Sequence, residues 1–167
     1  MELQNKAAYT DDGYIVNQAC LHDVRYGCRT SDCNGCGWIA AYNFLRSLAD
    51  DAPEEEVARA LSSHALFRGL LGTSPFRLRR YLKRRGYAIH SYIGPKKVVW
   101  AAETARAGIL LYRHSSGWHF VAFVRVDARG GLRFFNASPG NAQHILSMQT
   151  FLTVCNRTPL CYLLSVQ

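Results

Sequence analysis

Asn34-Gly35-Cys36-Gly37-Trp38-Ile39-Ala40-Ala41-Tyr42-Asn43 sets a cysteine between two glycines at the head of an apolar run. Trp38, Ile39, Ala41, Tyr42, Leu45 and Leu48 recur at helical spacing, which predicts a helix buried on most sides. Cys36 then stands at the helix N-terminus, beside amides that have no intrahelical partner and the positive end of the backbone dipole. That setting favours thiolate and draws a thiol pKa from about 8.5 towards neutrality. Gly35 and Gly37 remove side chains on both sides of the sulfur, so the backbone of another molecule can approach it. The plainer alternative is a buried cysteine that opens a core helix.

Outward from this helix, punctuation marks the other elements. The first 35 residues are rich in turn formers and polar groups, and read as a surface-wrapping segment. Pro53-Glu54-Glu55-Glu56 gives an acidic first turn to a second helix that ends near Ser62. Ser74-Pro75 opens a third and Gly86 stops it. Strand signals follow at Tyr87 to Ile93, Gly108 to Tyr112, Phe120 to Val126 and Leu132 to Phe135, with a hairpin turn at Ala128 to Gly131. Lys97 to Ala105 reads as a short helix, Ser147 to Val154 as a last helix and Cys161 to Val166 as a last strand. Helices in about residues 1–86 and an antiparallel sheet in about 87–167 predict one α+β domain.

The composition suits a folded chain, with 49% hydrophobic and 12% aromatic residues among 167. No apolar run approaches the roughly 20 residues that span a bilayer. Met1 to Tyr14 has no apolar core of the kind a secretory signal carries, so a cytoplasmic location is the default expectation. The net charge of +8 is concentrated in Arg77, Arg79, Arg80, Lys83, Arg84 and Arg85, on the outer face of an amphipathic helix. No nucleic-acid module accompanies these residues, so a nucleic-acid role is not expected. A solvated face is the simplest reading of Arg77–Arg85, and an acidic partner docking there is the functional one.

A nucleophilic cysteine needs a base beside it and a third group to orient that base. His119 opens the strand Phe120 to Val126, and Asn136 closes the strand Leu132 to Phe135. If the two strands pair through the glycine turn, His119 and Asn136 become neighbours at one end of the sheet. The Asn136 carboxamide can then accept the imidazole N–H and fix its tautomer. His114, ending the preceding strand, is the alternative base, while His22, His64, His90 and His144 have no convincing partners.

On Cys36-Gly37, Gly117-Trp118-His119-Phe120-Val121 and Asn136-Ala137-Ser138-Pro139-Gly140, in that order, the chain resembles the papain-like cysteine peptidases. Within them it is most similar to the compact bacteriocin-processing (double-glycine leader) peptidases. The resemblance runs from about Gly27 to the C-terminus. It implies N-terminal helices packed on a twisted antiparallel sheet, with the active site in the cleft between them. It also implies peptide-bond hydrolysis without a cofactor, through an acyl-enzyme. Cys36 would attack, His119 would carry the proton, and Asn136 would hold the imidazole, where the double-glycine group usually has aspartate. The Cys36 amide would bind the oxyanion. The glutamine that the family usually places shortly before the cysteine is absent, so Asn34 and Gln18 are the candidates for the second oxyanion donor. Losing such a donor costs roughly 100- to 1,000-fold in rate.

Two other classes remain open. Cys28, Cys33 and Cys36 have the spacing of a plant-type 2Fe–2S loop, although no fourth cysteine follows before Cys155. Zinc could be held by the same three with Cys20 or His22. Either would consume the nucleophile. Cys28 or Cys33 could instead pair with Cys36 under oxidation. A papain-like fold serving only as a binding module is the non-catalytic alternative.

Overall fold

The computed structural model describes residues 6–62, 72–127, 130–137 and 142–167. The N-terminal part forms two single 3-10 turns, Lys6–Ala8 and Gln18–Cys20, and a hairpin of β1 (Arg25–Tyr26) and β2 (Arg29–Thr30). Four helices follow, α1 (Ser31–Asn34), α2 (Cys36–Ser47), α3 (Glu54–Ser62) and α4 (Pro75–Arg84). Then come β3 (His90–Ile93), α5 (Pro95–Ala102), β4 (Ala107–His114), β5 (Gly117–Arg125), β6 (Leu132–Ala137), β7 (Ala142–Leu146), α6 (Met148–Cys155) and β8 (Tyr162–Val166).

Strands β3 to β8 make one six-stranded sheet in the order β3-β8-β4-β5-β6-β7. Every neighbouring pair is antiparallel. The chain is therefore mixed helix and sheet, compatible with α+β. Its layering differs from a two-part arrangement, because both faces of the sheet are covered. Ile109, Phe120, Ala122, Phe135 and Leu164 pack with α2, α3, α4 and the N-terminal segment. Leu110, Tyr112, Val121, Phe123, Phe134 and Leu163 pack with α5 and α6 on the other side. The alternation along Phe120 to Phe123 is the two-residue period of a strand with core on both faces. Gly108 permits this packing, since a Cβ there would meet the Phe123 ring at 2.6 Å.

Helix α2 is the spine. Every residue from Gly37 to Leu45 is buried, which is why the run carries no charge over that span. Its one polar side chain inside the core, Asn43, donates to the Ile15 carbonyl at 2.7 Å and accepts from the Ile15 amide at 2.9 Å. Left unpaired, such a buried amide would cost about 1–3 kcal/mol. The pairing also draws the N-terminal segment inward. Ala8, Ile15, Leu21 and Tyr26 are core residues, so this segment does more than wrap the surface.

Helices α3, α4, α5 and α6 fall within a few residues of expectation, as do β3, β4, β5, β6 and β8. Strand β7 is an addition to the sequence reading. The expected turn residues 128–129 lie outside the described residues, as do Ser138-Pro139-Gly140 and His64. On either side of the first gap, Val126 donates to the Gly131 carbonyl at 3.0 Å, so β5 and β6 do form the expected hairpin. No helix among the described residues is long and apolar enough to cross a membrane.

Candidate active site

Gly35 has helical backbone angles (φ −76°, ψ −6°), so α1 runs almost without interruption into α2. The Trp38 indole donates to Ser31 Oγ at 3.0 Å and holds the two helices in line. Cys36 is thereby fixed at the head of α2, facing the start of β5. Beside it Gly37 lies against Thr73, so closely that a Cβ at Gly37 would fall 2.1 Å from Thr73 Oγ1. Thr73 in turn shares a 2.6 Å hydrogen bond with the buried Tyr26 hydroxyl. The segment leading into α4 therefore abuts the head of α2.

A cavity of about 290 Å³ opens here, lined by Gln18, Cys33, Cys36, Trp118, His119 and Asn136 among others. Three distant parts of the chain supply it: the 3-10 turn at Gln18, the α1–α2 junction, and the facing ends of β5 and β6. Cys36, His119 and Asn136 thus line one cavity, as does Gln18. Asn34 is buried at the end of α1 and does not line the cavity. Cys33 lies on the cavity wall, whereas Cys28 is exposed in the β1–β2 turn, away from it. All six cysteines are free thiols. Among the described residues no group of three or more His, Cys, Asp or Glu side chains is arranged to hold a metal. His114 is half-buried and does not line the cavity, and it is hydrogen-bonded to Ser115 and Ser116.

The expected tether between His119 and Asn136 exists, but through the backbone. Nε2 of His119 lies 2.7 Å from the Asn136 carbonyl oxygen. A carbonyl only accepts, so Nε2 carries the proton and Nδ1 keeps the lone pair. The carbonyl reaches the ring because Asn136 adopts φ +59°, which ends the β5–β6 ladder at the Ala122–Phe135 pair. Asparagine is among the few non-glycine residues that take this conformation readily. The ring also packs edge-on to buried Tyr112, its cross-strand partner, at 5.8 Å.

The Asn136 carboxamide is spent on Gln18. It donates from Nδ2 to Gln18 Oε1 at 3.1 Å and accepts the Gln18 backbone amide through Oδ1, also at 3.1 Å. Gln18 Nε2 donates one hydrogen to the Asp32 carbonyl at 3.0 Å. Its second hydrogen has no partner among the described residues, and the side chain borders the cavity. This reciprocal amide pair joins positions far apart in the chain, and no local pattern announces it.

Electrostatics depart from the expected thiolate. Burial pushes the Cys36 thiol up, and the amides of Phe120, Gly37 and Cys36 itself offset only part of that rise. Burial likewise pushes the His119 imidazole down, against the opposing pull of the Asn136 carbonyl. The helix-terminal amides do act on the sulfur as anticipated, but loss of water outweighs them. Both shifts favour the uncharged forms, thiol and imidazole. Such a pair can transfer a proton when attack begins, with Nδ1 as the acceptor.

No model of a known protein family matches this chain, and comparison with curated proteins yields no match.

Proposed function

We propose that this protein is a papain-like cysteine hydrolase that cleaves peptide bonds. The observation that carries this reading is the convergence of Cys36, His119, Asn136 and Gln18 on one cavity, with the imidazole held in the Nε2–H tautomer. Cys36 Sγ attacks the carbonyl carbon while Nδ1 of His119 takes its proton. The imidazolium donates to the Asn136 carbonyl from Nε2 and returns the other proton to the leaving amine. A water, activated by the same Nδ1, then hydrolyses the thioester. The oxyanion is held by the Cys36 amide and the uncommitted hydrogen of Gln18 Nε2, so Gln18, not Asn34, takes the role of the missing upstream glutamine. The same groups would hydrolyse a side-chain amide, and deamidation belongs to the same reading.

The neutral thiol–imidazole pair is also what a non-catalytic papain-like module would carry. One experiment separates the two: labelling with a peptide vinyl sulfone, read by intact mass, alongside turnover of a fluorogenic peptide library. The hydrolase reading expects one label on Cys36 and turnover that both vanish in Cys36→Ala, with turnover falling by ~10³-fold or more in His119→Ala. An unlabelled Cys36 and no turnover would establish the binding module instead.

A further inference from the structure

Helix α4 carries a second feature that the hydrolase reading does not use. Phe76, Arg79, Arg80, Lys83 and Arg84 line one shallow groove of about 370 Å³ on its outer side. Phe76 is 73% exposed, against a fold that buries most of its phenylalanines. Among the described residues Arg79, Arg80, Lys83 and Arg84 have no carboxylate partner, whereas their neighbour Arg85 is tied to Asp50 at 3.0 Å and Glu56 at 2.6 Å. Arg85 is therefore a structural cation at the end of this helix. Nε of Arg79 is shut off from water with no acceptor among the described residues.

The fold does not need this arrangement. Arg79 and Lys83, and Arg80 and Arg84, are like charges one helical turn apart, so each pair is mutually repulsive. Phe76 meets the Tyr162 ring at 6.3 Å but, at 73% exposure, adds little to the core. Together they make a groove with an apolar floor, built from the Phe76 ring and the methylene stems, under a rim of four cations. A phosphate backbone would call for a longer track of cations and several stacking rings. Here one ring and about 15 Å of helix are offered.

We infer that this groove docks an acidic peptide segment with one apolar anchor, the anchor seated on Phe76 and flanking carboxylates paired with Arg79, Arg80, Lys83 and Arg84. Charge complementarity sets the rate of encounter, and the anchor sets the lifetime.

The test is fluorescence polarisation on the full chain, with a labelled peptide of glutamates flanking a single leucine. The comparison probes are the same peptide with every glutamate replaced by glutamine, and an oligo(dT) of equal charge. Wild type is expected to bind the acidic peptide, with affinity falling as salt rises. Arg80→Glu with Lys83→Glu should weaken it at least about tenfold, and Phe76→Ala about threefold or more. Both variants alter exposed side chains, so their melting temperatures and the alkylation of Cys36 should match wild type. No binding by wild type, equal binding of the glutamine peptide, or unchanged affinity in both variants would overturn the inference. So would an oligo(dT) that binds more tightly and responds to the same variants, which would make the groove a nucleic-acid surface.

Discussion

His119 and Asn136 meet through the main chain: the imidazole Nε2 donates to the Asn136 carbonyl at 2.7 Å, and the Asn136 side chain plays no part in that bond. What this position must supply is a backbone conformation, φ +59°, and not a carboxamide acceptor. Asn136→Gly should therefore keep the Nε2–H tautomer, read by nitrogen chemical shifts of the labelled imidazole. Asn136→Ala should be less stable than the glycine variant by about 1 kcal/mol, since alanine resists the left-handed region. A tautomer that switches in Asn136→Gly would show that the side chain, not the carbonyl, fixes the ring.

The carboxamide does its work one step away, on Gln18. If Gln18 is the oxyanion donor, its orientation depends on the Nδ2–Oε1 bond from Asn136 and on the bond from Nε2 to the Asp32 carbonyl. Gln18→Ala should lower kcat with little change in KM, by roughly 100-fold, the usual cost of losing one oxyanion donor. Asn136→Gly should cost a smaller share of the same effect. The double variant should then be no worse than Gln18→Ala alone, because the two residues form one unit. Additive losses would mean that Asn136 serves the reaction by another route.

Burial sets the sign of the pH dependence. The His119 imidazole is held below its ordinary 6.5, so the unfolded chain binds the proton more readily than the folded one. Its contribution to stability is complete above pH 6.5 and is lost as pH falls through the folded value. The Cys36 thiol is pushed above its ordinary 9.0, so its contribution is complete below pH 9 and is lost as pH rises through the folded value. Thermal denaturation should show both limbs, with His119→Gln weakening the acid limb, which His114 shares, and Cys36→Ala weakening the alkaline one, which Cys155 and Cys161 share. Iodoacetamide should label Cys36 more slowly at neutral pH than the exposed Cys28 and Cys33. Fast labelling of Cys36 at pH 6, abolished by His119→Ala, would instead reveal a resting thiolate–imidazolium pair.

Much of the scaffold was legible because its signals are local. Pro53 with three glutamates, Ser74-Pro75 and the short apolar run from Phe120 to Val126 each identify an element from a few adjacent residues, and α3, α4 and β5 stand where they point. Strand β7 was not legible, because Ala142-Gln143-His144-Ile145-Leu146 offers neither a continuous apolar run nor a strict alternation. Nor was the placing of α5 and α6, since a short amphipathic helix does not say which face of a sheet it covers. At the site, Cys36, His119 and Asn136 could be nominated from residue type and order. The hydrogen bonds among them could not, because the side chain of Asn136 selects Gln18, 118 residues away in sequence. The direction of the thiol's pKa shift was not legible for a related reason. The favourable amides are local to the helix terminus, whereas the burial that outweighs them is contributed by the whole fold.

Gly37 gives the sharpest test of how the nucleophile is positioned. Its missing side chain lets Thr73 sit against the first turn of α2, with Thr73 Oγ1 2.1 Å and Thr73 Cβ 2.3 Å from where a Gly37 Cβ would lie. Alanine would otherwise favour a helix over glycine by about 1 kcal/mol. The clash with a β-branched side chain, itself held by Tyr26, should reverse that sign. Gly37→Ala is expected to destabilise the protein by about 1–3 kcal/mol, the range for overpacked sites. It should also lower kcat, since any relief must shift either the head of α2 or the segment before α4. Thr73→Gly in the same chain removes the opposing atoms and should recover most of the stability that Gly37→Ala loses. Denaturant titration of the two single variants and the double variant measures this directly. A stabilised Gly37→Ala, or a double variant no better than the sum of its parts, would mean that the Gly37–Thr73 approach does not position Cys36.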